Sequence, residues 1–352
     1  MSRLPGYLRS SRVVYPIFIG LMVAAWLLLR NFDKDAFGFF IWSWTAVAGL
    51  VAAFSMMGVR DLAYMYRIKV LTDNHLNWKQ AFEVIMLWEF SSAVSPSVVG
   101  GTGPAVFFLY KEGVNIGKST AVILMAIFLD EVFFVVMVPL LYVFFGSQVF
   151  PPDSGLITGS VKAALVLGYL GILIYTLLLA YTLFFNPYFF KWLFSNLFLL
   201  PFLKPWRGKM RKLANQLIIT SNMMKGKPAK FWFKASVSTF ISWTARYWVV
   251  NFMFMAWFFN HLGLTEHFLI YARQLTMWII LLISPTPGGS GIAEIIFSDF
   301  LGDILPNLSW AIPMALLWRL VTYYPYLFIG AIVLPRWVKR VFQKKYTYEV
   351  VD

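Results

Sequence analysis

The chain has no cysteine, which excludes a disulfide framework and every thiolate metal site. Charge is scarce too, with 13% of residues charged against 60% hydrophobic. An ordinary soluble domain is about 25% charged and about 45–50% apolar. No stretch is polar and long enough to make a separate soluble domain. The three histidines, His75, His261 and His267, show no HExxH-like spacing. Glu266 beside His267 reads as a solvated loop pair rather than a metal site. The one DxD spacing, Asp33-Lys34-Asp35, follows directly on the first apolar run and reads as loop acids, and no DDxxD pattern is present. Acids are outnumbered, 16 against 30 lysines and arginines, giving a net charge of +14. In a soluble chain that would suggest nucleic acid. Here the asymmetry of loop charge in membrane proteins explains it, and no nucleic-acid partner is expected. No cofactor is expected either.

What is present is apolar sequence in runs of about 20 residues, the length that spans a bilayer as helix. Full spans are expected over residues 13–29, 39–59, 120–145, 162–185, 235–259 and 310–334. Arg3, Arg9 and Arg12 precede the first run, which is too long for a signal-peptide core and reads as an uncleaved span. The loop after residue 59 is expected to hold Arg60, Arg67, Lys69 and Lys79.

Two further apolar regions, about 81–110 and 268–297, are interrupted by proline and glycine. The first contains Ser95-Pro96-Ser97-Val98-Val99-Gly100-Gly101-Thr102-Gly103-Pro104, and the second Ser284-Pro285-Thr286-Pro287-Gly288-Gly289-Ser290-Gly291-Ile292-Ala293-Glu294. The motif recurs with a one-residue offset. Irregular backbone at membrane depth is tolerated where protein buries it or it lines a watery cavity.

Loop charge decides how these regions run. The segment 186–234 has ten lysines and arginines and no acid. If both interrupted regions crossed the membrane, that segment would lie outside. If both enter and return, the N-terminus, the basic loops and the tail all face the cytoplasm. Asp33, Asp35, Asp153, Glu266, Asp299 and Asp303 then fall on the other side. The expected fold is an all-α polytopic membrane protein, one domain over 1–352. It has about six spans and two re-entrant broken-helix hairpins entering from opposite sides. The hairpins make an inverted pseudo-repeat, a recurrent transporter plan, with units at about 39–145 and 235–334. The segment 187–203 is expected along the inner membrane surface. The basic segment itself reads as a topology signal that attracts anionic lipid, or as a protein-docking site.

Candidate binding residues follow from chemistry. Helix N-termini at glycine turns offer unpaired N–H groups to an anion. Gly100, Gly101, Thr102, Gly103, Gly288, Gly289, Ser290 and Gly291 are therefore expected at a lipid phosphate, with hydroxyls from Ser95, Ser284 and Thr286. The competing account is that small residues only let helices approach. Ionisable residues within spans are Glu89, Asp130, Glu131, Arg246, Arg273, Glu294 and Arg319. Asp130 lies 35 residues after Ser95, and Arg319 lies 35 after Ser284. An acid and a base so placed are expected to face each other, or to serve as structural ion pairs. Arg246 and Arg319 suit a phosphate. Glu294 reads as a helix-dipole partner, a proton-linked carboxylate or a partner for a cationic headgroup. Arg273 is expected near the surface, snorkelling.

Residues Pro285 to Glu294 match a Pro-x-Pro-Gly-Gly-x-Gly-x-x-Glu pattern, and the chain there resembles the flippase-like family that includes the transmembrane region of lysylphosphatidylglycerol synthase. Where that family has an Arg-x-x-Asp-like pattern, this chain has Phe128-Leu129-Asp130-Glu131. The resemblance implies translocation of an anionic or aminoacylated phospholipid between leaflets of a bacterial-type inner membrane. It implies membrane lipid as ligand. A homodimer and a separate lipid-modifying enzyme are further partners to expect. The chain ends soon after its last span, so aminoacyl transfer is not expected. Two alternatives stand beside this one: an intramembrane transferase acting on a lipid-linked substrate, and an ion-coupled small-solute transporter.

Overall fold

The computed structural model describes residues 40–95, 101–150, 159–189, 191–193, 207–259, 262–282, 286, 289 and 291–348. The expected span 13–29, most of 187–203, and Gly100, Ser284, Gly288 and Ser290 lie outside the described residues. Among the described residues every regular element is helical. The long helices are α1 (Trp44–Leu71), α2 (Trp78–Val94), α3 (Thr102–Lys111), α4 (Ile116–Phe145) and α5 (Gly159–Ala180). They continue with α6 (Arg207–Met224), α7 (Ala229–Phe258), α8 (Leu264–Leu282), α9 (Ile292–Leu301), α10 (Ala311–Thr322) and α11 (Tyr324–Tyr348). Four segments are long and apolar enough to cross a membrane: Trp44–Leu71, Ile116–Val149, Lys162–Phe185 and Leu308–Phe342. This is a multi-pass membrane protein.

The starts follow local capping chemistry. Ser43 accepts the Ala46 N–H at 3.1 Å at the head of α1. Asn77 and Gln80 exchange side-chain and backbone bonds of 2.9 Å at the head of α2, a reciprocal cap that satisfies two orphan donors. Asn115 does the same for one donor of α4.

Helix α1 is the first departure from the sequence reading. It does not end at residue 59 but runs 28 residues to Leu71, carrying Arg60 and Arg67 into the interior. Both had been expected in a loop. The helix continues because partners on other helices neutralise both guanidinium groups, whereas Leu62 on another face stays exposed. Its main neighbour is α7. Gly49 makes that approach: a Cβ there would lie 2.6 Å from the Ala256 Cβ and 2.8 Å from the Phe252 carbonyl oxygen. Gly49→Ala is therefore expected to lower stability by about 1–3 kcal/mol. Gly58→Ala on the same helix, with nothing within 4 Å, should not. Thermal unfolding in detergent compares the two.

Helices α2 and α3 fold back on each other across the first Pro/Gly motif. Gln80 Nε2, at the start of α2, donates to Glu112 Oε2 just past the end of α3 at 2.8 Å. Arg340 of α11 pairs with both Glu83 and Glu112, and Trp337 Nε1 donates to Glu112 at 2.6 Å. Helices α8 and α9 fold back across the second motif. Arg273 of α8 donates to the Phe300 carbonyl at 2.9 Å, pairs with Asp303 at 2.5 Å, and holds the Gln148 carbonyl at 2.9 Å. Arg273 is thus buried at 5% exposure and does not snorkel. The reason is this set of acceptors at the open end of its own helix pair.

The two open ends sit at opposite ends of α4. The first lies beside the Lys111–Ile116 connection into α4, and the second touches Gln148 just beyond its end. A 30-residue helix separates them by about 45 Å. Because the chain has no cysteine, a thiol cross-link reads this geometry directly. A short bifunctional thiol reagent should join Gln80→Cys to Glu112→Cys within one chain, and should not join Gln80→Cys to Asp303→Cys. Gel mobility distinguishes the two pairs.

Two other expectations change. The segment expected as a span over 310–334 lies within the candidate span Leu308–Phe342 but is interrupted at Tyr323 between α10 and α11, where Pro325 has no N–H to donate to the Val321 carbonyl. The basic segment 186–234 is not all loop. It contains α6, which packs against α4, and Ser221 donates to the Leu183 carbonyl at 2.7 Å.

Candidate functional site

A cavity of about 390 Å³ lies between the two folded-back tips. Ser92, Ala93 and Thr102 reach it from the first tip, and Leu281, Thr286 and Gly289 from the second. Asp130 and Glu131 mark its depth, about 20 Å from either end of α4. Trp243 and Trp278 form an aromatic wall. Behind it Trp278 stacks on Phe134 with ring centroids 3.6 Å apart.

Four arginines line the cavity: Arg60, Arg67, Arg246 and Arg319. Residues 60, 64 and 67 fall on one face of α1, spaced i, i+4, i+7. Tyr64 lies between the two guanidinium groups, 4.7 Å from Arg60 and 4.6 Å from Arg67 to its ring centre. Arg60 meets Glu89 of α2 at 2.6 Å and its neighbour Asp61 at 2.8 Å. It also donates to the Tyr326 hydroxyl at 2.8 Å, and that hydroxyl donates in turn to Asp61 at 2.9 Å. Arg67 grips Asp130 with two nitrogens, at 2.5 and 3.3 Å. Asp130 also accepts from Trp243 Nε1 at 2.7 Å. Arg319 lies 3.3 Å from Glu294 and 3.8 Å from the Tyr323 ring centre.

Arg246 differs. Among the described residues no carboxylate lies within ion-pair distance of it. Its guanidinium sits 5.8 Å from the Trp243 ring, half-exposed to the cavity.

The expected facing pair, Asp130 with Arg319, does not form, since each takes another partner. Asp130 is held by an arginine of α1, outside the stretch that carries the repeated motif, and Arg319 by the Glu294 of its own half. The glycines behave unequally. A side chain at Gly101 would overlap Ser92 at the closure of the first helix pair, so glycine there serves close approach. Gly289 and Gly291 have φ of 72° and 83°, a region natural to glycine. The Gly291 N–H, expected to be open to an anion, donates to Glu294 Oε2 at 2.7 Å. Glu294 therefore caps α9 and faces Arg319 as well. Ser95 is turned to its own helix, donating to the Ser91 carbonyl at 2.6 Å. Gly103 has open space on its Cβ side.

The motifs and the cavity sit within a known sequence family. The family described as lysylphosphatidylglycerol synthase TM region matches residues 13–330. The chain belongs to this family. A UPF0104 membrane protein of Archaeoglobus fulgidus is similar to it, 27% identical over 296 residues, covering 80% of this chain and 84% of the relative. No solved structure matches the chain. The match reaches from ahead of α1 into α11 and so contains all four cavity arginines.

Sequence reasoning missed Arg60, Asp61 and Arg67 as interior residues, and missed Glu83 and Glu112 as the acids that hold α11. The spacing of Arg60, Tyr64 and Arg67 is the signal that identifies the first group. A hydropathy window reads the same charges as the end of a span.

Proposed function

We propose that this chain moves a lipid with an anionic headgroup between the leaflets of its membrane, with the headgroup in the cavity and the acyl chains left in the bilayer. One observation carries the reading. Arg246 is a cation in a cavity at membrane depth whose arginine neighbours are each matched to carboxylates, and among the described residues it is not. A guanidinium suits a phosphate through parallel N–H bonds. Intramembrane charge without a partner is a functional candidate by default. Thr102, Thr286 and Gly289 line the same cavity and would complete the polar contacts.

In this reading the two helix pairs are re-entrant hairpins entering from opposite faces, the halves of an inverted pseudo-repeat. Four ion contacts support the orientation. Asp73 bridges Lys118 at 2.9 Å and Lys227 at 2.5 Å, which places the starts of α4 and α7 beside the end of α1. Arg340 places the C-terminal end of α11 at the base of the first hairpin. The face so defined carries Lys69, Lys79, Lys111, Lys230, Lys234, Arg336 and Lys339, and the other carries Asp303 at the base of the second hairpin. Basic residues mark the cytoplasmic side. The C-terminus is then cytoplasmic. The proposed role is transport, with no bond made or broken.

The test uses vesicles containing fluorescent phosphatidylglycerol in both leaflets. A membrane-impermeant reductant quenches the outer leaflet. With the protein present, the inner pool should become quenchable as well, and faster for phosphatidylglycerol than for phosphatidylcholine. Inner-leaflet label that stays protected as long as in protein-free vesicles would reject the reading.

A further inference from the structure

The cavity charges do not cancel. Four arginines stand beside five carboxylates: Arg60 pairs with Asp61 and Glu89, Arg67 with Asp130 and Arg319 with Glu294, which leaves Arg246 and Glu131 outside any ion pair among the described residues. The odd member on the acidic side is Glu131. Among the described residues it makes no hydrogen bond and no ion pair, and its Oε2 is enclosed without a donor. Asp130, next to it on α4, is already bonded by Arg67 and Trp243, so neither donor serves Glu131.

The groups around it offer no remedy. Of the titratable groups that line the cavity with it, Arg67 of α1 is committed to Asp130 and Glu89 of α2 to Arg60, Tyr64 of α1 and Tyr175 of α5 make no hydrogen bond to it, and Arg246 of α7 lies beyond ion-pair distance. Helices α3, α6 and α8 give the lining no titratable side chain, and Arg319, farther along, faces Glu294. Glu131 is half-buried, and an ionised carboxylate with one oxygen enclosed and no cation or donor beside it leaves the desolvation of that oxygen uncompensated. Adding a phosphodiester to this cavity would bring a second unbalanced negative charge.

We propose that Glu131 is a proton-binding site, and that a lipid anion is taken up at Arg246 together with a proton on Glu131. The step is a simple association: one carboxylate oxygen gains one proton from the aqueous phase on the side where the anion enters, and releases it on the other. Lipid anion and proton cross together with no net charge. This inference rests on the lipid-transport reading. It adds a driving force, since the lipid would follow a pH gradient toward the less acidic side.

Two arms test it. In the first, vesicles holding the protein receive fluorescent phosphatidylglycerol in the outer leaflet under a gradient of one pH unit, acid outside. One proton across one unit corresponds to about tenfold accumulation at equilibrium. The wild type should approach an inner-to-outer ratio of about ten, against about one without the gradient. Glu131→Gln should not respond to the gradient, and Glu131→Asp should recover part of the response. A wild type that moves the label to an even distribution whatever the gradient overturns the proton site and leaves lipid transport standing. In the second arm, infrared difference spectra of the protein in nanodiscs are recorded on acidification, with no transport required. The expected result is a protonated-carboxyl C=O band that Glu131→Gln removes. A carboxyl band pattern unchanged by that substitution overturns the proposal even where no label moves in the first arm.

Discussion

Arg246→Ala is expected to slow phosphatidylglycerol movement by about 10–100-fold while leaving the protein folded. A charge-assisted hydrogen bond contributes about 1.5–3 kcal/mol, and each 1.4 kcal/mol is tenfold. Among the described residues Arg246 makes no ion pair that its loss would break, and its cation–π contact with Trp243 is a long one at 5.8 Å. Stability should therefore hardly change, which separates this substitution from those at the other three arginines. Arg246→Lys should restore part of the rate, because an ammonium keeps the charge but not the planar fork. Initial rates in the vesicle assay, with thermal unfolding as the control, measure both. An Arg246→Ala protein that unfolds at the wild-type temperature and moves lipid at the wild-type rate would remove the headgroup anchor from the mechanism.

Arg67 should behave in the opposite way. Its side chain is 4% exposed and its partner Asp130 is 19% exposed. Losing one member of a buried pair strands the other, at a cost of about 3–5 kcal/mol. Arg67→Met or Asp130→Leu alone is thus expected to destabilise the protein severely, measured as unfolding temperature in detergent. The double substitution should recover more than half of the loss, since two apolar groups of similar volume leave no charge behind. Recovery stops short of complete because Trp243 Nε1 loses its acceptor and the Thr239 hydroxyl loses one of its two bonds, keeping the one to the Ala235 carbonyl. Losses that simply add would mean that Arg67 and Asp130 act independently, contrary to the geometry.

These two arginines show how far the sequence can be read. Helical character, membrane residence and the turns at the two Pro/Gly motifs all follow from composition and spacing. Glu294 was legible as a helix-terminus carboxylate because it stands three residues after Gly291, in the first turn after a Gly-rich break. Arg246 was legible because it interrupts an otherwise apolar and small-polar run. Arg67 was not, because it lies where lengthy apolar sequence gives way to charge, and a charge there is equally natural in a loop. What distinguishes the cases is the partner, and Asp130 is 63 residues away. The pseudo-symmetry of the motifs suggested Arg319 for Asp130, yet α1 packs closely on α7 and brings Arg67 there first. The same limit applies to Arg273, whose acceptors come from Phe300, Asp303 and Gln148. The role of Gly101 as a point of close approach also depends on Ser92 across the turn. Pairings across the chain set these roles, and no local window contains them.

The most direct test of the lipid-transport reading is a high-resolution structure of the protein in nanodiscs made with phosphatidylglycerol. The expected result is a phosphate in the cavity within hydrogen-bond distance of the Arg246 guanidinium, with its acyl chains leaving sideways into the bilayer. A cavity holding only water at Arg246, while ordered lipid lies solely on the outer surface of the helices, would contradict it.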